Sequence, residues 1–270
     1  MYSMDGPIPS GFVGRRIVNE LMQRQHVLTL YGFVMLALMV PTLVLLVLDA
    51  RTIGDVNVWA KPLKFMASTA LFSLCTAWFM GLLPPSVRVS PANWAMVSTL
   101  IFTSLFEVAY ISLQAALGSP SHYNVTDAFH AAMFGLMALA AVLLVATQAF
   151  LAWQIHRTAV ERPLPVFHQA VIAGLIMTFV LSTASGFMLG GNQPPTGVGL
   201  PLAGWHLSGG DLRPAHFLGV HAQQLIPLAG VLLVRQAPSR AGAALFAVIL
   251  VYTTIWVLLC KLGLSGQGGY

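Results

Sequence analysis

Charge is what this sequence has least of. Only 8% of its 270 residues are Asp, Glu, Lys or Arg, against about a quarter in soluble domains, and that excludes an ordinary water-soluble fold. Two cysteines, Cys75 and Cys260, fall at different depths of apolar segments, so no disulfide framework is expected and the redox compartment stays unread. No stretch alternates apolar and polar residues at strand length, which removes a β-barrel. GxSxG, CxxC, phosphate-loop and EF-hand patterns are all missing. Lys261 lies at the end of the last apolar segment, so the mid-helix lysine that a covalently held retinal needs is missing too.

What is present is hydrophobic length. Apolar residues make up 57% of the chain and the mean hydropathy is +0.79. A helical span needs about 20 mostly apolar residues at 1.5 Å rise each. Seven segments qualify: His26 to Val47, Val58 to Leu83, Asn93 to Leu117, Asp127 to Gln154, Pro165 to Leu189, Pro214 to Val234 and Ala241 to Leu262. The expected fold class is therefore all-α, a polytopic membrane protein of seven transmembrane helices. Residues 1–25 are read as a surface-lying lead-in without a cleavage site, residues 26–264 as the membrane domain with a long loop over 190–212, and residues 265–270 as a tail.

Short loops rich in Lys and Arg stay in the cytoplasm. One side carries Arg15, Arg16, Arg24, Arg88, Arg157, Arg162, Arg235 and Arg240. The other carries Arg51, Lys61, Lys64, Arg213 and Lys261, of which Lys61, Lys64 and Arg213 begin helices rather than occupy loops. The N-terminus is therefore expected in the cytoplasm and the C-terminus outside, in an inner (plasma) membrane. The formal charge of +5 follows from this topology and from attraction to anionic lipid, so the bilayer is the expected partner and nucleic acid is not.

Polar residues inside the spans gather toward the outer face. Lys61, Lys64 and Ser68 share one stripe of the second span; Ser104, Glu107 and Gln114 share one of the third, with Tyr110 beside them. Asp127 and His130 open the fourth, Ser182, Thr183 and Ser185 close the fifth, and His216, His221, Gln223 and Gln224 lie on the sixth. The cytoplasmic halves read as nearly all apolar. Intramembrane polar groups are costly and face a bundle interior or a wet cavity, so these residues are expected to converge. The bland reading of each stays beside this one: Lys61 snorkels, the serines and threonines bond their own backbone, and His130 is interhelical glue.

The second, fourth and sixth spans all begin outside, so their positive dipole ends point at one region, where Lys61, Lys64 and Arg213 add full charge. An anionic or amphiphilic small molecule is the expected ligand, bound by Lys61, Lys64, Tyr110, Gln114, Asp127, Arg213, His216 and Gln224. Alternatively, Asp127 and Asp211 cap these helices themselves. The loop from Gly190 to Leu212, holding Trp205, is a candidate lid.

Two short stretches match. KPLKF at Lys61 to Phe65 resembles RPAHF at Arg213 to Phe217, and His26, Gly32 and Met35 have the spacing of His168, Gly174 and Met177. This is the pattern of a parallel 3+1+3 repeat with Lys64 opposite His216 across a pseudo-twofold axis. Pro41 and Pro227 are expected kinks.

Three chemistries remain open. A membrane-embedded enzyme would use Glu107, His130 and His221 as its acid–base groups, with Lys64 or Arg213 stabilising developing negative charge. A proton-coupled small-molecule transporter would use Glu107 as its coupling carboxylate. A redox protein would bind a metal ion through His130, His216 and His221, with His122, His206, Glu107 and Asp127 as further donors, or a haem between His130 and His221. His216 and His221 lie five residues apart, so they cannot chelate from one helix face as an i, i+4 pair does.

Overall fold

The computed structural model describes residues 10–160, 164–197, 199–200 and 203–265, with side chains from residue 14 onward. It is an all-α membrane protein. The long helices are α1 (Ser10–Leu48), α2 (Ala60–Met80), α4 (Pro91–Leu117), α5 (Ala128–Thr158), α6 (Val166–Gly190) and α9 (Ala241–Leu264); shorter ones are α3 (Pro85–Arg88), α7 (Arg213–Val220) and α8 (Ala222–Gln236). Among the described residues six helices are long and apolar enough to cross a membrane, or seven if α7 and α8, bent by 54° at their junction, count as one span. Large side chains such as Phe102, Leu139, Phe187 and Phe246 are exposed on the outside of the bundle, as contact with hydrocarbon requires.

The strands β1 (Thr52–Ile53) and β2 (Val56–Asn57) form a minimal hairpin in the α1–α2 loop. Its turn residues, Gly54 at φ +55° and Asp55 at φ +64°, have the two left-handed conformations of a tight hairpin turn.

Helix ends follow local chemistry. Ser90 Oγ accepts the N–H of Asn93 at the start of α4, Pro91 fills the first turn, and Gly118 closes the helix at φ 68°, in the left-handed region where a residue without Cβ is favoured. Asp127 accepts the N–H of His130 and caps α5. Helix lies on both sides of the expected boundary between lead-in and first span, from Ser10 to Leu48, with a kink where the two meet. The junction falls at Gln25, whose backbone leaves the helix (φ −158°, ψ 96°) and whose Oε1 accepts the N–H of Val27.

The sixth span is not one helix. It breaks at His221, six residues before Pro227, and Pro41 and Pro227 both lie within continuous helix. The break is sustained by other helices. Thr178 Oγ1 of α6 accepts the N–H of Gln223 at 2.9 Å and donates to the Val220 carbonyl at 3.4 Å, while Tyr252 of α9 donates to the Leu218 carbonyl at 2.5 Å. Backbone groups freed at membrane depth need such partners.

Two groups of helices pack around α5. One joins α1, α2 and α4; the other joins α6, α7, α8 and α9; α5 lies against α4 and α6. Leu28, Met35, Met80, Leu100, Leu151 and Leu175 belong to the larger core, and Leu181, Ile226, Leu245 and Tyr252 to the smaller. Each group contains a glycine contact of one kind. A Cβ on Gly32 of α1 would stand 3.3 Å from the Ala70 carbonyl of α2, and one on Gly174 of α6 would stand 3.0 Å from the Ala222 carbonyl of α8. Gly32 and Gly174 are the glycines paired by the sequence match, and Ala70 and Ala222 each come six residues after the paired Lys64 and His216. The two contacts thus join corresponding positions of the two matched stretches.

Candidate functional site

Seven helix ends meet at one face of the bundle, joined by loops 49–59, 118–127 and 191–212. The loop after α4 is shaped by Asn124, which donates to Ser119 Oγ and to the Pro120 carbonyl and accepts from Thr126. Tyr123, at φ 57°, anchors it by donating to the Leu189 carbonyl of α6 at 2.6 Å; burial pushes that phenol up to about 12. Ser121 and His122 are thereby set over the start of α2.

There the Lys61 ammonium donates to Ser121 Oγ and to His122 Nδ1, both at 2.9 Å. With lysine donating, Nδ1 accepts, so the ring is neutral and carries its proton on Nε2. Phe65 and Phe134 flank the ring at 6.2 and 6.1 Å between centroids. Burial, then Lys61, then His216, hold His122 well below the usual histidine range. His216 of α7 lies within electrostatic reach of His122, and its own Nδ1 meets Ser185 Oγ of α6 at 3.2 Å. Gly186 lies beside that ring: a Cβ there would make ordinary van der Waals contact with it, 3.5 Å from His216 Cε1.

The long loop is fastened above. Lys64 donates to the Ala203 carbonyl at 2.9 Å and Arg213 to the Gly204 carbonyl at 2.5 Å. Arg213 also pairs with Asp211 through Nε and Nη2. The side chain of Asp211 is fully buried and accepts the backbone N–H of His206 and of Arg213. Burial opposes its ionisation, yet the Arg213 side chain and the two N–H donors hold it below the usual carboxylate range. Asp211 therefore serves the start of α7 and Asp127 caps α5, whereas α2 has no side-chain cap. Trp205 packs on Phe217 at 5.1 Å.

Glu107 lies ten residues from the end of α4, about 15 Å deep at 1.5 Å per residue. It is 8% exposed and within electrostatic range of Lys61 and Tyr31, but no ion pair or hydrogen bond reaches its carboxylate among the described residues. One turn earlier, Tyr31 donates to Ser104 at 2.8 Å, because Ser104 gives its own proton to the Leu100 carbonyl.

The expected residues do not all converge. Lys61 and His216 lie within electrostatic reach of His122 and Glu107 within reach of Lys61, with Lys64 and Arg213 bonded to the loop above. The catalytic set Glu107, His130 and His221 is not a bonded unit. His130 stays at the rim, its Nδ1 2.7 Å from Asp127, and His221 meets Gln224 at 3.3 Å at the helix break. Lys64 and His216 bind different partners rather than facing one another. Tyr110 and Gln114 are buried on α4 with Tyr110 Oη and Gln114 Oε1 unpartnered.

The metal set His130, His216 and His221 is not assembled: among the described residues no three His, Cys, Asp or Glu side chains are grouped as a metal ion needs. By helix rise His130 and His221 lie about 3 Å and about 12 Å in from the starts of α5 and α7, unequal depths for the two sides of one haem.

The other half of the bundle is less apolar than its sequence reads. Thr76 of α2 contacts Gln148 of α5 at 3.4 Å, and Gln148 Nε2 donates to Thr147 at 3.0 Å. Thr76, Gln148 and Asn93 are fully buried. Ser121 and Thr178 were the other residues missed; the run of Ser, His and Asn after α4 was the available signal for the first. Comparison with protein-family models, curated proteins and solved structures finds no match.

Proposed function

We propose that this is a membrane protein whose loop-rich face binds an anionic or amphiphilic small molecule, with Lys61, His122 and His216 as contact groups and Lys64 and Arg213 at the entrance. The supporting observation is the state of Lys61: its ammonium is bonded to two neutral groups, Ser121 and His122, rather than to a carboxylate. Lys64 is bonded to a carbonyl, and only Arg213 has a carboxylate partner. Among the described residues neither Lys61 nor Lys64 has an ion-pair partner, with Glu107 within electrostatic range of Lys61, and cations so placed attract an anion. The uncapped start of α2 adds N–H donors in the same place. In an enzyme on this site Glu107 acts as the internal base and Lys61 holds developing negative charge.

By the distribution of arginines, the site opens outside an inner membrane, with the N-terminus in the cytoplasm. The test is thermal unfolding of purified protein with inorganic phosphate, a fatty carboxylate and a glycerophosphate. At least one is expected to stabilise the wild type and not Lys61→Ala; equal shifts in both proteins overturn the reading.

A second reading, a proton-coupled transporter, is favoured by the break at His221, since discontinuous helices carry the sites of many carriers. The buried Thr76–Gln148 contact removes the objection that the far half is wholly apolar. Uptake into proteoliposomes driven by a pH gradient, lost in Glu107→Gln, supports the carrier; its absence with retained binding leaves the enzyme.

A further inference from the structure

Between α4 and α5, on the lipid-facing side of the bundle, runs a groove of about 260 Å³ walled by Thr103, Phe106, Leu136, Ala140 and Leu143. Several times a water's share of the liquid, about 30 Å³, it is sized for a hydrocarbon chain. Ala140 makes it: a methyl group stands at its base, 6% exposed, where the neighbouring positions carry leucine. Leu136 and Leu139 at the margin are 50% and 55% exposed, so the groove opens outward to hydrocarbon.

The groove's own lining is apolar apart from Thr103, and the polar groups lie past one end of it. Phe106 and Met133 connect it to a cluster of Tyr110, Ile111 and Met137. Tyr110, one turn after Phe106, and Gln114, one turn further, are 5% and 2% exposed. Tyr110 Oη and Gln114 Oε1 are buried with no hydrogen-bond partner among the described residues. A hydroxyl and a carbonyl oxygen in that condition at membrane depth are unfavourable and call for a partner with both a donor and an acceptor. Asp127 lies within electrostatic reach of Tyr110, and with His130 it sets a charged, hydrogen-bonding rim above.

We propose that the α4–α5 groove binds a single glycerolipid from the bilayer, one acyl chain lying along Ala140 and the ester–hydroxyl region bonded to Tyr110 and Gln114. Tyr110 donates to an ester carbonyl and Gln114 Oε1 accepts from a hydroxyl, so the apolar and polar ends of the site match the two ends of one molecule. The surrounding hydrocarbon supplies chains at high concentration, and the two orphaned groups select one that arrives with its glycerol backbone at this depth. This site does not depend on anion binding at Lys61.

Native mass spectrometry of the full chain, extracted in mild detergent, tests the proposal. The wild type is expected to retain one glycerolipid per chain. Ala140→Phe, which fills the groove, is expected to lose it, and Tyr110→Phe to retain it about tenfold more weakly, as loss of one buried hydrogen bond does. Lys61→Ala is expected to keep it. Tyr110→Phe leaves the groove's shape intact and keeps the test decisive if Ala140→Phe does not fold. A wild type without bound lipid, equal retention by Tyr110→Phe, or a wild-type dimer that Ala140→Phe dissociates would each overturn the proposal, the last by assigning the groove to a second copy of this chain.

Discussion

Lys61 Nζ stands 2.9 Å from His122 Nδ1, so an ammonium group fixes the tautomer of a neutral imidazole from the far side of a loop. Nitrogen NMR of histidine-labelled protein is expected to show His122 protonated on Nε2 at neutral pH and to lose that single tautomer in Lys61→Met. Because the His122 pKa is held low by burial, Lys61 and His216, its contribution to stability is full above the unfolded histidine value, about 6.5, and is lost as the pH falls toward the folded one. Unfolding temperature against pH should therefore drop in acid less steeply for His122→Phe than for the wild type.

Asp211 titrates lower down. Its carboxylate is stabilised by Arg213 and by two N–H donors against the effect of burial, so its contribution is present above the usual carboxylate value, about 3.9, and is lost as the pH falls through the lowered folded one. Asp211→Asn is expected to cost about 2 kcal/mol, below the 3–5 kcal/mol of a fully buried pair because Arg213 is 32% exposed. Hydrogen exchange over residues 191–212 is the measurement, and unchanged protection would contradict the assignment.

Gly174 and Gly32 should differ in tolerance. A Cβ at Gly174 meets a proline ring atom at 2.9 Å and the Ala222 carbonyl at 3.0 Å, neither of which moves easily, whereas a Cβ at Gly32 first meets the end of the Leu74 side chain at 2.8 Å. Gly174→Ala is expected to destabilise by about 1–3 kcal/mol and Gly32→Ala by less, in equilibrium unfolding from detergent.

Thr178→Val keeps the shape of the α6–α7 contact and removes the acceptor of the Gln223 N–H. A buried donor left unpaired costs about 1–3 kcal/mol. Loss of that size, with protection falling first around residues 217–224, would show that the break at His221 is held by this hydroxyl.

The spans were legible because apolar length is a local property. The break at His221 was not, because no residue near it forbids a continuous helix; what permits the bend is the hydroxyl of Thr178 and the phenol of Tyr252, which the chain brings in from other helices. Helical phase put Lys61 and Glu107 on stripes that lie within electrostatic range of one another. It carried no information on His122, which lies within the loop after α4, because that ring's position rests on how Asn124 and Tyr123 fold the loop. The buried Thr76–Gln148 contact escaped notice because lone threonines and glutamines in apolar runs carry no periodic signal.

Ala203 and Gly204 belong to neighbouring peptide units, one held by a lysine on α2 and the other by an arginine on α7. The crossover between α6 and α7 therefore acts as a strap tied to a helix of each packed group. Any motion that parts α2 from α7 must first unfasten one end of it.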